Sequence, residues 1–329
     1  MVSGPALAAD EVNIYSYRQP ELIQPLLDVF SAETGIKTNV IFLDKGLTER
    51  IAAEGRNSPA DVILATDIGR LQEAVDSGVT QAVSDSLIND NIPAQYRDPN
   101  GQWFGLTTRG RVVYASNTRV DQNEITYEEL ADPKWKGRIC IRDGQHSYNI
   151  ALFASMIVHL GEVKAEEWMI GLKNNLARKP AGNDRAQAKS IFSGECDLAL
   201  GNTYYVGLMQ TNEEQPEQKE WAKAIKVLFP NNSGRGTHVN ISGMALAKYS
   251  PNKDSAVKFM EFLASPKAQE IYAEQVFEYP LAEGTKASKI VAGFGVINPD
   301  KLPLDDIAKN RKLASEMVDK TDFNNGPAS

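Results

Sequence analysis

Residues 11 to 17 alternate apolar and polar side chains, the two-residue period of a half-buried strand. Beyond Pro20 the period lengthens. Leu22, Leu26, Val29 and Phe30 recur at helical spacing over residues 21 to 34, and Gly35 stands where a helix ends. Residues 37 to 43 read as a second strand and 47 to 54 as a second helix. Past the turn Ser58-Pro59-Ala60-Asp61, residues 62 to 65 read as a third strand. Strand-helix-strand-helix-strand predicts a parallel α/β sheet with helices on both faces. Residues 101 to 117 read as two strand pieces meeting about Thr107, Thr108 and Arg109. A second α/β series follows: a strand at 138–141, helices at 149–160, 164–174 and 186–193, and a strand at 196–200. Residues 238 to 247 read as a strand returning to the first series, with helices at 254–263 and 266–274 behind it. Beyond Asp305 the pattern predicts a helix and a frayed polar tail.

The 329 residues are enough for about two domains. Hydrophobic residues are 42% and charged residues 24%, ordinary for a globular chain. The net charge of -8 argues against nucleic acid, whose phosphates need a basic surface. No apolar run approaches the roughly 20 residues that span a bilayer. The first ten residues, with the small-x-small step Ala6-Leu7-Ala8, read as a leader or the remnant of a secretory signal. Two cysteines, Cys140 and Cys196, fit a single disulfide in an oxidising compartment, or two unrelated buried thiols. Both lie just upstream of tyrosine-bearing segments, which favours the bridge. Three histidines (His146, His159, His238) without paired spacing do not make a zinc site.

A two-lobed α/β chain places a ligand beyond the carboxyl ends of its strands. The segments there carry Tyr148, Tyr204 and Tyr205 with Arg18 and Arg109, and few carboxylates. Phenolate oxygen is a hard anionic donor suited to a trivalent hard cation such as Fe3+. A bound cation is also what makes a phenolate at neutral pH reasonable, since free tyrosine titrates near 10. Three phenolates neutralise one Fe3+ and leave positions for a small bidentate anion such as carbonate. Guanidinium groups match that anion with two parallel donors. Each residue also has an ordinary reading: the tyrosines as packing, the arginines as surface ion pairs, His146 as a solvated loop residue, Asp67 as a helix cap. No GxSxG, P-loop, GxGxxG or clustered acid-base pair is present, so an enzyme is not expected. A binding protein for an organic cation, a polyamine or thiamine, is the alternative; such sites present carboxylates and aromatic boxes.

Several segments sharpen this: NIYSYRQPEL (from Asn13), SPADVILATDI (from Ser58), QWFGLTTRGRVVYAS (from Gln102), DPKWKGRICIRDG (from Asp132), GECDLALGNTYYVG (from Gly194) and SGMALAKYSPNKDSAVKFMEFLAS (from Ser242). Over nearly its whole length the chain resembles the periplasmic ferric-iron-binding proteins of bacterial iron ABC importers. The resemblance implies a bilobal class II binding-protein fold: two α/β lobes on a two-strand hinge with the ligand cleft between them. Lobe 1 would be residues 11–108 plus 238–280, and lobe 2 residues 109–237 plus 281–329. It implies Tyr204 and Tyr205 as iron ligands, Tyr148 as the third tyrosine, and Arg18 and Arg109 holding carbonate; Gln19, Asp67, Asn202 and His146, in the same strand-end segments, are candidate supporting residues. Where some relatives carry a histidine, a further tyrosine or a glutamate ligand, this chain has Gln19, Pro20 and Thr66. That leaves three tyrosines and an exogenous anion. The expected setting is a periplasmic monomer delivering to an inner-membrane permease.

Overall fold

The computed structural model describes residues 10–327. The expected leader therefore lies outside the described residues, apart from Asp10. In chain order the first elements are β1 (Glu11–Ser16), α1 (Pro20–Thr34), β2 (Lys37–Phe42), α2 (Leu47–Glu54), β3 (Val62–Ala65), α3 (Ile68–Asp76), β4 (Thr80–Gln81), α4 (Ser86–Asn91) and β5 (Phe104–Ser116). There follow β6 (Ile139–Cys140), α5 (Ser147–Leu160), α6 (Glu162–Asn174), α7 (Asp184–Phe192), β7 (Leu198–Asn202), α8 (Thr203–Gln210), α9 (Glu217–Lys223), β8 (Ile225–Leu228) and β9 (Val239–Ala247). The chain ends with α10 (Lys253–Ala264), α11 (Pro266–Val276), β10 (Tyr279–Pro280), α12 (Lys289–Gly293), α13 (Leu304–Lys309) and α14 (Arg311–Lys320).

These elements form two compact units. Among the described residues the first comprises 10–107, 241–275 and 280–286, the second 108–240, 276–279 and 287–327. The chain passes between them within β5 and again within β9. Residues 276–279 group with the second unit and 280–286 with the first. The reason is visible at Phe277, which packs with Tyr204 and Val291. A Cβ on Gly207 would come within 2.5 Å of the Phe277 ring, so only glycine admits it there.

In the first unit β1 pairs in parallel with β2 and β3, and β9 adds antiparallel to β3. The sheet is therefore mixed, because β9 enters as a return strand without a crossover helix. Gly35 caps α1 in the left-handed conformation at φ 72, as its sequence position predicts. Asp61 explains the Ser-Pro-Ala-Asp turn. Its fully buried carboxylate accepts from the Asn13 and Asn252 backbone N–H groups at 2.8 and 2.9 Å and from Ser250 Oγ at 2.6 Å. One side chain thus ties β1 to the start of α10. Phe30 of α1 meets Phe259 and Phe262 of α10 at centroid distances of 5.0 and 5.5 Å.

In the second unit β7 pairs antiparallel with β5 and parallel with β6, and β8 pairs with β5. β5 is one strand of 13 residues, all buried, rather than the two pieces expected. Its polar residues do not break it, because Thr107, Thr108, Arg109 and Arg111 are themselves buried among partners. The C-terminal segment also departs from expectation. Phe323 is fully buried, 5.5 Å from Phe153, and Asn324 Oδ1 accepts from the Gly144 N–H at 2.7 Å. The tail is docked because one aromatic side chain in an otherwise polar run finds the core.

Cys140 and Cys196 form a disulfide with Cα atoms 5.9 Å apart. It lies in the core of the second unit with Val112, Tyr114 and Ala199. The bridge closes a sequence separation of 56 residues. Replacing both cysteines with alanine is expected to cost about 4 kcal/mol on the chain-entropy estimate for such a loop. Urea unfolding of the two proteins checks this; a loss under about 1 kcal/mol would contradict it.

Candidate metal centre

The site is built where two strands of the second unit hand over to helices. β7 runs directly into α8, so Tyr204 and Tyr205 fall in the first helical turn. Tyr114 of β5 fixes this turn: its hydroxyl donates to the Asn202 carbonyl. A Cβ on Gly201 would lie 2.2 Å from the Tyr114 ring, so the ring can lie against the strand only because residue 201 is glycine. Tyr148 sits in the first turn of α5. His146 is the N-cap of that helix, its Nδ1 accepting from the Tyr148 N–H at 3.3 Å and its ring standing edge-on to Tyr148 at 4.5 Å.

The three phenols converge. The Tyr148 and Tyr204 hydroxyl oxygens are 3.0 Å apart, and the rings of Tyr204 and Tyr205 stack with centroids 4.2 Å apart. Around them stand four guanidinium groups. Arg109, Arg111 and Arg142 lie 5.6, 6.0 and 5.3 Å from the Tyr148 ring centre, and Arg185 lies 5.1 Å from that of Tyr205. Fully buried Asp184 organises two of them. It accepts from Arg111 Nη1 at 2.8 Å, Arg142 Nη1 at 3.0 Å and the Asn202 N–H at 2.9 Å. Asn202 Oδ1 takes a further bond from Arg111 Nη1 at 3.1 Å. Glu278, also fully buried, is 3.9 Å from Arg109.

The electrostatics follow from this arrangement. Burial, then the neighbouring Tyr148 and Tyr205, hold the Tyr204 phenol well above 10. Burial, then Tyr148 and Asp184, push Tyr205 up to about 12. Burial together with Arg111 and Arg109 pushes His238 down to about 3, so this buried imidazole is neutral. The four arginines less Asp184 and Glu278 leave two positive charges (4 − 2) around the phenols. Such a field favours anions and phenolates and disfavours an ammonium ligand.

The structure thus brings together Tyr148, Tyr204, Tyr205, Arg109, Asn202 and His146. Arg18, Gln19 and Asp67 belong to the first unit. There Arg18 donates from Nε to Tyr272 at 2.9 Å and from Nη2 to Ser242 at 2.7 Å. Gln19 is the exposed residue at the N-cap of α1, and Asp67 caps α3, accepting from the Arg70 N–H at 3.1 Å. The sequence reading missed Arg111, Arg142, Arg185, Asp184 and Glu278. For Arg111 a signal existed: two residues beyond Arg109 on one strand, it lies on the same face. Among the described residues no group of three or more His, Cys, Asp or Glu side chains is placed to hold a metal.

A family model for bacterial extracellular solute-binding proteins matches residues 57–299. The chain belongs to this family. The extracellular solute-binding proteins are binding components rather than enzymes, and membership implies an ABC permease as partner. Among similar members, iron uptake protein A1 of Synechocystis is 45% identical over 313 residues, covering 94% of this chain and 86% of the relative. A Bordetella ferric binding protein of known structure is 49% identical with a TM-score of 0.91, covering 96% of this chain and all of that one. A Trichodesmium solute-binding protein solved in complex with iron and citrate is 41% identical, also at 0.91, covering 95% and 99%. Thiamine-binding members are distant: that of Escherichia coli is 24% identical over 276 residues, 80% of this chain and 76% of its own.

Proposed function

We propose that this solute-binding protein captures ferric iron in the periplasm through the phenolates of Tyr148, Tyr204 and Tyr205 and delivers it, as a monomer, to an inner-membrane ABC permease. The observation that carries this reading is the convergence of three phenols inside an arginine-rich shell. Three phenolates and Fe3+ sum to zero, so the two surplus positive charges call for an anion in the remaining coordination positions. We assign that place to carbonate, whose planar oxygens suit guanidinium donors, with Arg109 as one holder. Arg18 is assigned to the same anion on the family resemblance. His146, as the cap that sets the first turn of α5, positions Tyr148, and Asn202 positions Arg111 and the start of α8. Gln19 and Asp67 are proposed as supporting residues from their place just after strands.

The raised phenols set the pH dependence. Tyr204 and Tyr205 are protonated in the metal-free protein at neutral pH, so loading releases one proton from each. Protons therefore compete with iron, and affinity falls as pH falls. The test is a visible spectrum with ferric nitrilotriacetate and bicarbonate, with proton release followed at constant pH. An orange-red phenolate-to-iron band at one equivalent is expected, with tighter loading at higher pH. A protein that stays colourless would exclude tyrosinate ligation.

A further inference from the structure

A separate cavity lies on the α7 side of the same unit. Its volume is about 460 Å³, and it is lined by Asn183, Arg185, Lys189, Gln215, Gln218 and Trp221. In a chain of net charge -8, this cavity carries two cations and no carboxylate. Arg185 and Lys189 stand four residues apart on α7, so their Cβ atoms lie on one helix face about 5–6 Å apart. Among the described residues neither side chain has an ion-pair or hydrogen-bond partner; Arg185 stands over the Tyr205 ring at 5.1 Å and Lys189 over that of Trp221 at 5.4 Å. Arg185 Nε is buried with no acceptor. The neighbouring acids are committed elsewhere, Asp184 to Arg111 and Arg142 and Glu213 to Lys219. Gln218, 3% exposed, donates to Gln215, while its own Oε1 is buried without a donor.

We propose that this cavity is a subsite for a di- or tricarboxylate. Two carboxylate groups separated by a few carbons reach Arg185 and Lys189 together, and the Trp221 ring walls the carbon chain. Because Arg185 also covers the face of Tyr205, a ligand held here is linked to the phenols through that guanidinium. The chemistry is that of the free arms of a carboxylate chelate of iron. The inference rests on the ferric reading only for that last step; the subsite itself is a property of the metal-free chain.

The test uses the metal-free, full-length protein and citrate alone, followed by calorimetry and by Trp221 emission, with Trp221→Phe identifying the emitter. One citrate is expected to bind. Lys189→Gln is expected to weaken it about tenfold or more, the scale of one charge-assisted contact. Acetate and inorganic phosphate are expected to bind much more weakly. Citrate binding that is unchanged in Lys189→Gln, or matched by acetate or phosphate, overturns the subsite. Iron loading from nitrilotriacetate separates the two readings. If the wild type stays colourless while citrate binding still depends on Lys189, the ferric reading falls and the subsite stands. If colour develops and citrate ignores Lys189, the reverse holds.

Discussion

Tyr204→Phe is expected to reduce ferric affinity by well over the roughly 10–100-fold lost when an outer partner of a metal ligand is removed. The substitution deletes one oxygen and nothing else. Tyr204 is 5% exposed and packs with Phe277 and Val291, contacts that phenylalanine keeps. The metal-free protein should therefore melt within about 1 kcal/mol of wild type, the loss of one neutral hydrogen bond, here to the Tyr148 hydroxyl. The affinity loss arises because the coordination sphere loses an anionic donor inside a field that remains positive, so water is the poor replacement. Proton release on loading should fall by one. Competition against nitrilotriacetate gives the affinity, and the visible band reports the ligand set. Retained affinity with an unchanged band would remove Tyr204 from the site.

Asp184→Ala is expected to destabilise the metal-free protein by about 3–5 kcal/mol, as breaking a buried pair leaves its partners' charge uncompensated. Here two cations, Arg111 and Arg142, lose their shared carboxylate, and the Asn202 N–H loses its acceptor. The last loss bears directly on function, because Asn202 is the junction between β7 and the helix carrying Tyr204 and Tyr205. Asp184→Asn retains an acceptor and most of the shape, so its melting temperature should fall between the other two. Thermal melts of the three metal-free proteins give the order. A wild-type melting temperature for Asp184→Ala would mean that the arginines are solvated rather than held by this carboxylate.

What was legible in the sequence follows from how local each signal is. The alternation at the start of the chain and the helical spacing before Gly35 gave β1 and α1 nearly to the residue, because one buried face dictates each period. β5 was read as two strands because Thr107, Thr108 and Arg109 look like a polar break. Buried on both faces, such a strand shows no alternation, and its polar groups are satisfied by residues distant in sequence. The docked tail was missed for the same reason, since the partner of Phe323 is Phe153.

The site divides likewise. Tyr148, Tyr204 and Tyr205 were recognisable from residue type, their place after strands and the family resemblance. That the Tyr148 and Tyr204 oxygens stand 3.0 Å apart was not, because they are 56 residues apart in the chain and meet only through the β6–β7 pairing. Nor did the sequence distinguish the arginines that surround the phenols from those on the surface. Sequence alone determined the α/β class, the acidic character, the tyrosines that follow the strands and the absence of known catalytic motifs, all properties of residue identity and short-range period. Only the tertiary structure decided which charges share an environment: Asp184 between Arg111 and Arg142, Arg185 against Tyr205, and Arg185 with Lys189 left without acids. Electrostatic energy depends on distance and burial in space, and neither is encoded in spacing along the chain.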